Sequence, residues 1–197
     1  MLFPKRCPAC GAVGAAPCEG CARSLCRATS AISVPGLASC RSAFVYDEGV
    51  RTMLLALKYR NRRDALSYLA SQIAAMVDVE ADVVTWVPTT AGRRRTRGFD
   101  QAELLARAVG RHRGLPVRSL LRRADARPQT GRDALARRRG PDFTPRARRP
   151  VATSVVLIDD IGTTGATLQA AARVLAGAGW PEIHARTVAW TPRRGVG

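Results

Sequence analysis

The sequence predicts an α/β domain, a parallel sheet flanked by helices, preceded by a small cysteine-rich module. Three observations carry this. Residues 155–158 (VVLI) form a continuous apolar run, the pattern of a strand buried on both faces, and a small-residue turn and a helical stripe (Leu168, Ala171, Ala172, Leu175) follow it. Residues 83–87 (VVTWV) lead in the same way through a turn into a helix starting at Asp100. All six cysteines fall within the first 40 of 197 residues.

Taken in order, Cys7-x2-Cys10 and Cys18-x2-Cys21 are two knuckles seven residues apart. In a reducing compartment paired knuckles predict a tetrahedral zinc site with four thiolates, in a module too small to fold without metal; disulfides or redox chemistry are the alternative. Cys26 and Cys40 lack knuckle partners; either could replace a ligand, and a free, partly buried thiol is the default. A joint at 29–40 (TSAISVPGLASC) places the domain boundary at residue 40, giving a module over 1–40 and a domain over 41–197. Residues 43–46 read as a short strand. The stripe Val50, Met53, Leu54, Leu57 predicts a helix over 47–59 with Lys58 at its end, and Leu66, Leu69, Ile73, Met76 and Val77 mark a second amphipathic helix.

After the strand at 83–87 comes a loop, Pro88, Thr89, Thr90, Ala91, Gly92, then Arg93, Arg94, Arg95 and Arg97-Gly98-Phe99. Asp100 and Glu103 have capping-box spacing for a helix reaching about Arg111, followed by a strand near 117–121. This βαβ unit has its loop at the strand's C-terminal end, where open α/β sheets bind ligands. Between 122 and 149 periodicity dissolves into Arg, Pro, Asp and Gly, the pattern of a flexible insert or lid. Residues 183–190 form a last strand, and 191–197 a frayed tail. His112 and His184 stand alone and read as surface or structural residues; Arg137-Arg138-Arg139 reads as a solvated charge run.

The net charge is +17, carried almost entirely by arginine, with Lys5 and Lys58 the only lysines. Such a balance favours polyanions: nucleic acid or phosphorylated ligands. Coding bias accounts for Arg over Lys but less well for the excess of positive charge. No apolar run approaches the ~20 residues of a membrane span and no signal-peptide pattern opens the chain, so a soluble, cytoplasmic protein without membrane insertion is expected.

The chemistry concentrates at 155–167, VVLIDDIGTTGAT. A strand, a small-residue turn and a helix N-terminus make an anion site, because unpaired backbone N–H groups and the positive end of the helix dipole face the loop. Asp159 and Asp160 would repel a bare phosphate. They suit a ligand that carries a phosphate and vicinal hydroxyls, since ionised carboxylates accept hydrogen bonds from hydroxyls; a ribose 5-phosphate is such a ligand. The nucleoside-triphosphate loop pattern and the dinucleotide fingerprint are both missing.

At these residues the stretch resembles the 5-phosphoribosyl 1-pyrophosphate (PRPP) motif of type I phosphoribosyltransferases. Together with the knuckles, A-L-K-Y (56–59), V-P (87–88), R-G-F-D-Q (97–101) and a Gln and Arg in a long insert, the whole chain resembles the ComF (ComFC/GntX-like) family. The resemblance implies a type I phosphoribosyltransferase-like sheet with a hood, behind a four-cysteine zinc finger. It implies that Asp159 and Asp160 contact the ribose hydroxyls and that Thr163, Thr164, Gly165, Ala166 and Thr167 hold the 5-phosphate. Pro88, Thr89 and Thr90 would form the pyrophosphate loop, with Arg97 and Lys58 as cationic partners; Gln129 and Arg137 match the mobile insert. It further implies Mg²⁺ held with PRPP, structural Zn²⁺ on Cys7, Cys10, Cys18 and Cys21, and a role in natural competence and DNA uptake. The expected activity is pentosyl transfer from PRPP, in nucleotide metabolism, to an unknown acceptor. The alternatives are a non-catalytic, PRPP-regulated single-stranded DNA-binding protein that meets competence proteins, and a zinc-stabilised domain with a vestigial site.

Three positions depart from the family pattern. Gly162 stands where a larger residue is usual, Asp100 where Asn is usual, and Gly140 replaces an Asn. Thr163 occupies the place of the base used in the purine-salvage branch, and no N-terminal Cys nucleophile is present.

Overall fold

The computed structural model describes residues 4–59, 64–124, 141–146 and 154–191. Its elements are α1 (Glu19–Arg23), β1 (Ser39–Val45), α2 (Glu48–Tyr59), α3 (Leu66–Ala74), β2 (Val83–Trp86), α4 (Ala91–Arg97), α5 (Gln101–Arg113), β3 (Leu121–Arg123), β4 (Phe143–Pro145), β5 (Ser154–Gly162), α6 (Ala166–Gly177) and β6 (Glu182–Trp190). Four parallel strands form one sheet in the order β1-β6-β5-β2.

The run 155–158 is apolar throughout because both of its faces are covered. Val156 and Ile158 pack with Met53, Leu54, Leu69, Ile73, Leu105 and Val109 of α2, α3 and α5. Val155 and Leu157 pack with Leu168, Ala171, Ala172 and Leu175 of α6. This alternation is the period-two geometry of a strand between two helical layers. From β2 the chain moves outward through α5 to Val117, which bridges Val84 in parallel. From β5 it moves the opposite way through α6 to β6. The direction of winding therefore reverses between β2 and β5.

Several expectations are corrected. The strand expected near 117–121 is a single bridge at Val117, followed by β3, which pairs antiparallel with β4. These two strands fall at the margins of the segment read as patternless; they are three residues each, too short to show a period. The loop after β2 contains α4, which buries no side chain and so carries no apolar stripe. β5 does not end at Ile158; its pairing with β6 continues to Gly162, so both acids lie within the strand. The capping box is half made: Asp100 accepts from the Ala102 N–H at 3.1 Å, whereas Glu103 takes Arg107 at 2.8 Å.

Midway along β6, in register with Ile158 of β5 and Arg41 of β1, Arg186 is buried, 1% exposed. Its guanidinium donates to Met76 O (2.7 Å), Ser39 Oγ (2.9 Å), Ala185 O (2.9 Å) and Asp78 Oδ1 (3.3 Å), tying the segment after α3 to β1 and β6. Asp78 also pairs with Arg41. His184, buried, lies 2.8 Å from Ser39 Oγ through Nδ1, so it is structural, as the sequence reading has it.

Arg186→Met removes donors from buried oxygens and is expected to cost about 2–4 kcal/mol, on the scale of breaking a buried charged network. Asp78→Asn should cost distinctly less, because that carboxylate is half exposed. Urea unfolding of the two variants measures the order.

Candidate functional site

A cavity of about 330 Å³ opens where the winding reverses, at the C-terminal ends of β2 and β5. Open α/β sheets place ligands at this point. It is lined by Lys58, Pro88, Thr89, Arg97, Asp159, Asp160 and Thr167, all expected, and by Val87, Arg93, Asp100, Gln101, Ala102, Arg123 and Ile161, to which the sequence reading gave no such role.

Strand alternation aims the two acids at different layers. Asp160 continues the Val156–Ile158 side, and there Lys58, at the end of α2, forms an ion pair with it. Asp159 continues the Val155–Leu157 side, and its charge is felt by Arg123 on the β3–β4 ribbon. Burial, with Asp160 alongside, raises the Asp159 carboxyl well above the usual carboxylate range, against the Asp160 N–H that donates to its Oδ1 at 2.8 Å and against Lys58. Burial likewise lowers Arg123, with Arg93 adding repulsion; its guanidinium stands 5.7 Å from the centroid of the Phe143 ring.

Thr90 caps α4, accepting from the Arg93 N–H at 3.3 Å, and Gly98 ends that helix in a left-handed conformation, φ +77°. Arg93 and Arg97, one turn apart on α4, both reach the cavity. The Thr90 cap and the Gly98 stop were readable helix signals, and with them the i, i+4 pair. No comparable signal marked Arg123, whose place depends on the ribbon. Asp100 is buried and accepts from the Thr89 N–H (2.8 Å) and the Ala102 N–H (3.1 Å). It therefore clamps the loop after β2 to the start of α5. Burial raises its pKa, opposed by those N–H donors. Gln101 accepts from Arg97 at 3.0 Å.

Of the expected phosphate cradle, Thr167 lines the cavity, and Thr163, Thr164, Gly165 and Ala166 make the turn leading into it. Thr163 and Thr164 are exposed, and Thr164 Oγ1 accepts from the Ala166 N–H at 3.3 Å. Gln129 and Arg137 lie outside the described residues.

The sulfurs of Cys7, Cys10, Cys18 and Cys21 all lie within 4.8 Å of one another. A tetrahedral site with Zn–S bonds of about 2.3 Å needs sulfurs about 3.8 Å apart, and Cys10 and Cys18 stand at 3.7 Å. The four can hold a metal ion such as zinc. Burial opposes ionisation of Cys7, but N–H groups of Cys18, Cys10 and Ala9 bring it to about 6. Thiol neighbours Cys18 and Cys10, then burial, push Cys21 up to about 12. Cys26 and Cys40 are free thiols outside this cluster, and burial pushes buried Cys40 up to about 11.

A parallel sheet wound both ways, an acid pair opposite basic side chains at its switch point, and a four-cysteine cluster near the N-terminus define an α/β protein with a polar site at the C-terminal ends of its strands. The chain is 28% identical over 139 residues to Competence protein ComFC of Bacillus subtilis (strain 168), a match covering 68% of this chain and 57% of that one. It thus spans little more than half the length of that relative. No protein-family model matches the chain. Among solved structures, glutamine phosphoribosylpyrophosphate (PRPP) amidotransferase from B. subtilis, complexed with ADP and GMP, aligns at a TM-score of 0.45 and 24% identity over 62% of this chain and 26% of its own. Orotate phosphoribosyltransferase from Aeropyrum pernix aligns at 0.40 and 16% over 89% and 78%. Among the described residues no helix is long and apolar enough to cross a membrane.

A carboxyl with a raised folded pKa binds its proton more tightly in the native state. Stability therefore falls as pH rises from the unfolded value, about 3.9, through the folded one. Asp159→Asn is expected to raise the melting temperature of the ligand-free protein near neutral pH, with the gain shrinking towards pH 4. Thermal melts across that range check the sign.

Proposed function

We propose that the protein binds PRPP and displaces its pyrophosphate, transferring phosphoribose to an acceptor, in a role connected with natural competence and DNA uptake. The observation that supports this most is the cavity's polarity: Asp159 and Asp160 line it together with Lys58, Arg93, Arg97 and Arg123. A ligand that fits brings hydroxyl donors to the acids and phosphate oxygens to the cations.

In this reading Asp159 and Asp160 accept from the ribose hydroxyls, and Thr163, Thr164, Gly165, Ala166 and Thr167 hold the 5-phosphate at the α6 N-terminus. Pro88, Thr89 and Thr90 form the loop beside the pyrophosphate, with Asp100 fixing Thr89 from behind. As the acceptor attacks C1, the bond from C1 to the pyrophosphate oxygen breaks and its electron pair leaves with the pyrophosphate. Arg97 and Lys58, joined by Arg93 and Arg123, stabilise that charge. Lys58 is held by Asp160 before ligand arrives, so phosphate oxygens compete for a cation already at the site. Mg²⁺, when bound, neutralises pyrophosphate oxygens; it would sit on PRPP and water, with the 159–160 carboxylates as the hard oxygen donors at hand. Gln129 and Arg137, which match the family's insert, are assigned as further PRPP contacts. The four cysteines hold a structural zinc ion.

Calorimetry with PRPP and Mg²⁺ is expected to show binding. The Asp159→Asn, Asp160→Asn double variant should lose affinity by on the order of 100-fold or more, each charge-assisted hydrogen bond contributing about 1.5–3 kcal/mol. Absence of Mg²⁺-dependent binding, or equal binding by the double variant, would refute the reading. Pyrophosphate release in a screen of nucleobases, amines and single-stranded DNA separates transfer from binding alone.

The net charge of +17 favours a second reading, a PRPP-regulated protein whose basic face grips single-stranded DNA. Its affinity should then fall linearly with salt on a double-logarithmic plot, with a slope near 0.7 per phosphate contacted. A shallow slope counts against it.

Purified protein should carry one zinc per chain on the four thiolates, and Cys10→Ser should release it and unfold the residues around α1. Substoichiometric metal with intact thiols would overturn the zinc assignment.

A further inference from the structure

The turn at 163–164 is bracketed by two glycines, and one side chain lies over both. Gly162 ends β5 and is the register partner of Trp190, which ends β6. A Cβ at Gly162 would lie 2.0 and 2.1 Å from Cε3 and Cζ3 of the indole. Gly162 lies in a regular strand, so it is the ring that leaves no room for a side chain there. Gly165 is different. Its left-handed φ of +81° at the start of α6 favours glycine, and a Cβ there would also meet Val34 Cγ2 at 2.9 Å and Trp190 Cη2 at 3.4 Å.

Both residues are anchored through their backbones from elsewhere in the fold. The Tyr46 N–H donates to Trp190 O at 2.8 Å, and the Thr191 N–H donates to Gly162 O at 2.9 Å. Val34 is buried, in a turn closed by the Leu37 N–H and followed by Ala38 N–H bonding Ile183 O at 2.8 Å. A glycine in a strand normally loosens it, and an aromatic ring laid over the bare backbone restores the packing.

We propose that Trp190, backed by Val34, is the positioning residue of the phosphate loop: its indole takes the place of the side chain that residue 162 lacks and sets the backbone of Thr163 to Thr167 for a phosphate. This deepens, and rests on, the reading of that loop as the 5-phosphate cradle. Backbone donors work only at fixed geometry, so a loop freed from the ring keeps its residues and loses its affinity.

A double-mutant cycle on the full chain tests it, with Gly162→Ala, Trp190→Ala and the two combined. The probes are ribose 5-phosphate, which reports the cradle without pyrophosphate, and PRPP with Mg²⁺, both by calorimetry. Each single variant should weaken ribose 5-phosphate binding about tenfold or more. The combined variant should bind more tightly than Gly162→Ala alone, because the new methyl group enters the space the ring left. Trp190→Phe should stay within about threefold of wild type. If Trp190→Ala does not fold, Trp190→Leu replaces it in the cycle. Losses that simply multiply in the combined variant overturn the proposal, as does a Trp190 variant with a lowered melting temperature and unchanged affinity. Wild-type protein that binds neither probe overturns the cradle reading itself, and the positioning role with it.

Discussion

Two carboxylates on consecutive residues of one buried strand are the constraint to which the rest of the site answers. Asp159 and Asp160 repel each other, and burial of Asp159 makes its charge costly. The strand's alternation turns them towards different layers, and each layer supplies a cation. Lys58 arrives for Asp160 from the end of α2, on the side of α3 and α5. Arg123 stands within reach of the charge of Asp159 from the ribbon, whose Leu121 and Phe143 pack on the α6 side. Neither cation needs to be near its acid in sequence, because the sheet delivers both. Residual strain of this kind is common where a ligand completes the charge balance.

The buried charge midway along β6 is handled differently. There Arg186 has oxygens from β1, β6 and the segment after α3 around its guanidinium, and its ion partner Asp78 is half exposed. This charge is satisfied internally, so it ties β1, β6 and the segment after α3 together. Charge at the C-terminal end is left partly in conflict, which is what allows a ligand to matter there.

Much of this was legible in the chain. The long periodic elements were, because α2, α3, α5 and α6 each bury one stripe, and β5 and β6 are buried on both faces. Asp159, Asp160 and Thr167 could be named because they sit in or beside such an element, whereas Lys58 and Arg97 were named from the family resemblance. What escaped notice has no period. α4 buries nothing, β3 and β4 are three residues long, and Arg123 becomes a site residue only through a pairing with a residue 20 positions on. The bare backbone at Gly162 was visible as a departure, but its complement, Trp190, lies 28 residues on and is joined to it only by strand register.

Asp100 shows how such departures are absorbed. From the sequence it is an added negative charge beside a proposed pyrophosphate loop, and that should weaken anion binding. In the fold its carboxylate is turned into the backbone, receiving the N–H groups of Thr89 and Ala102 at the positive end of α5. Its acceptor capacity is thus spent on the loop it holds. Its charge is still felt, since it adds to the repulsion that raises Asp159 and helps keep Arg123 protonated. An acid in this position therefore has two effects of opposite use. It rigidifies the loop that would face a leaving group, and it increases the need for cations around the acid pair. Arg93 and Arg123, both in the cavity, meet that need, so a neutral residue at 100 would change the charge balance of the cavity while leaving the helix cap available to an amide oxygen.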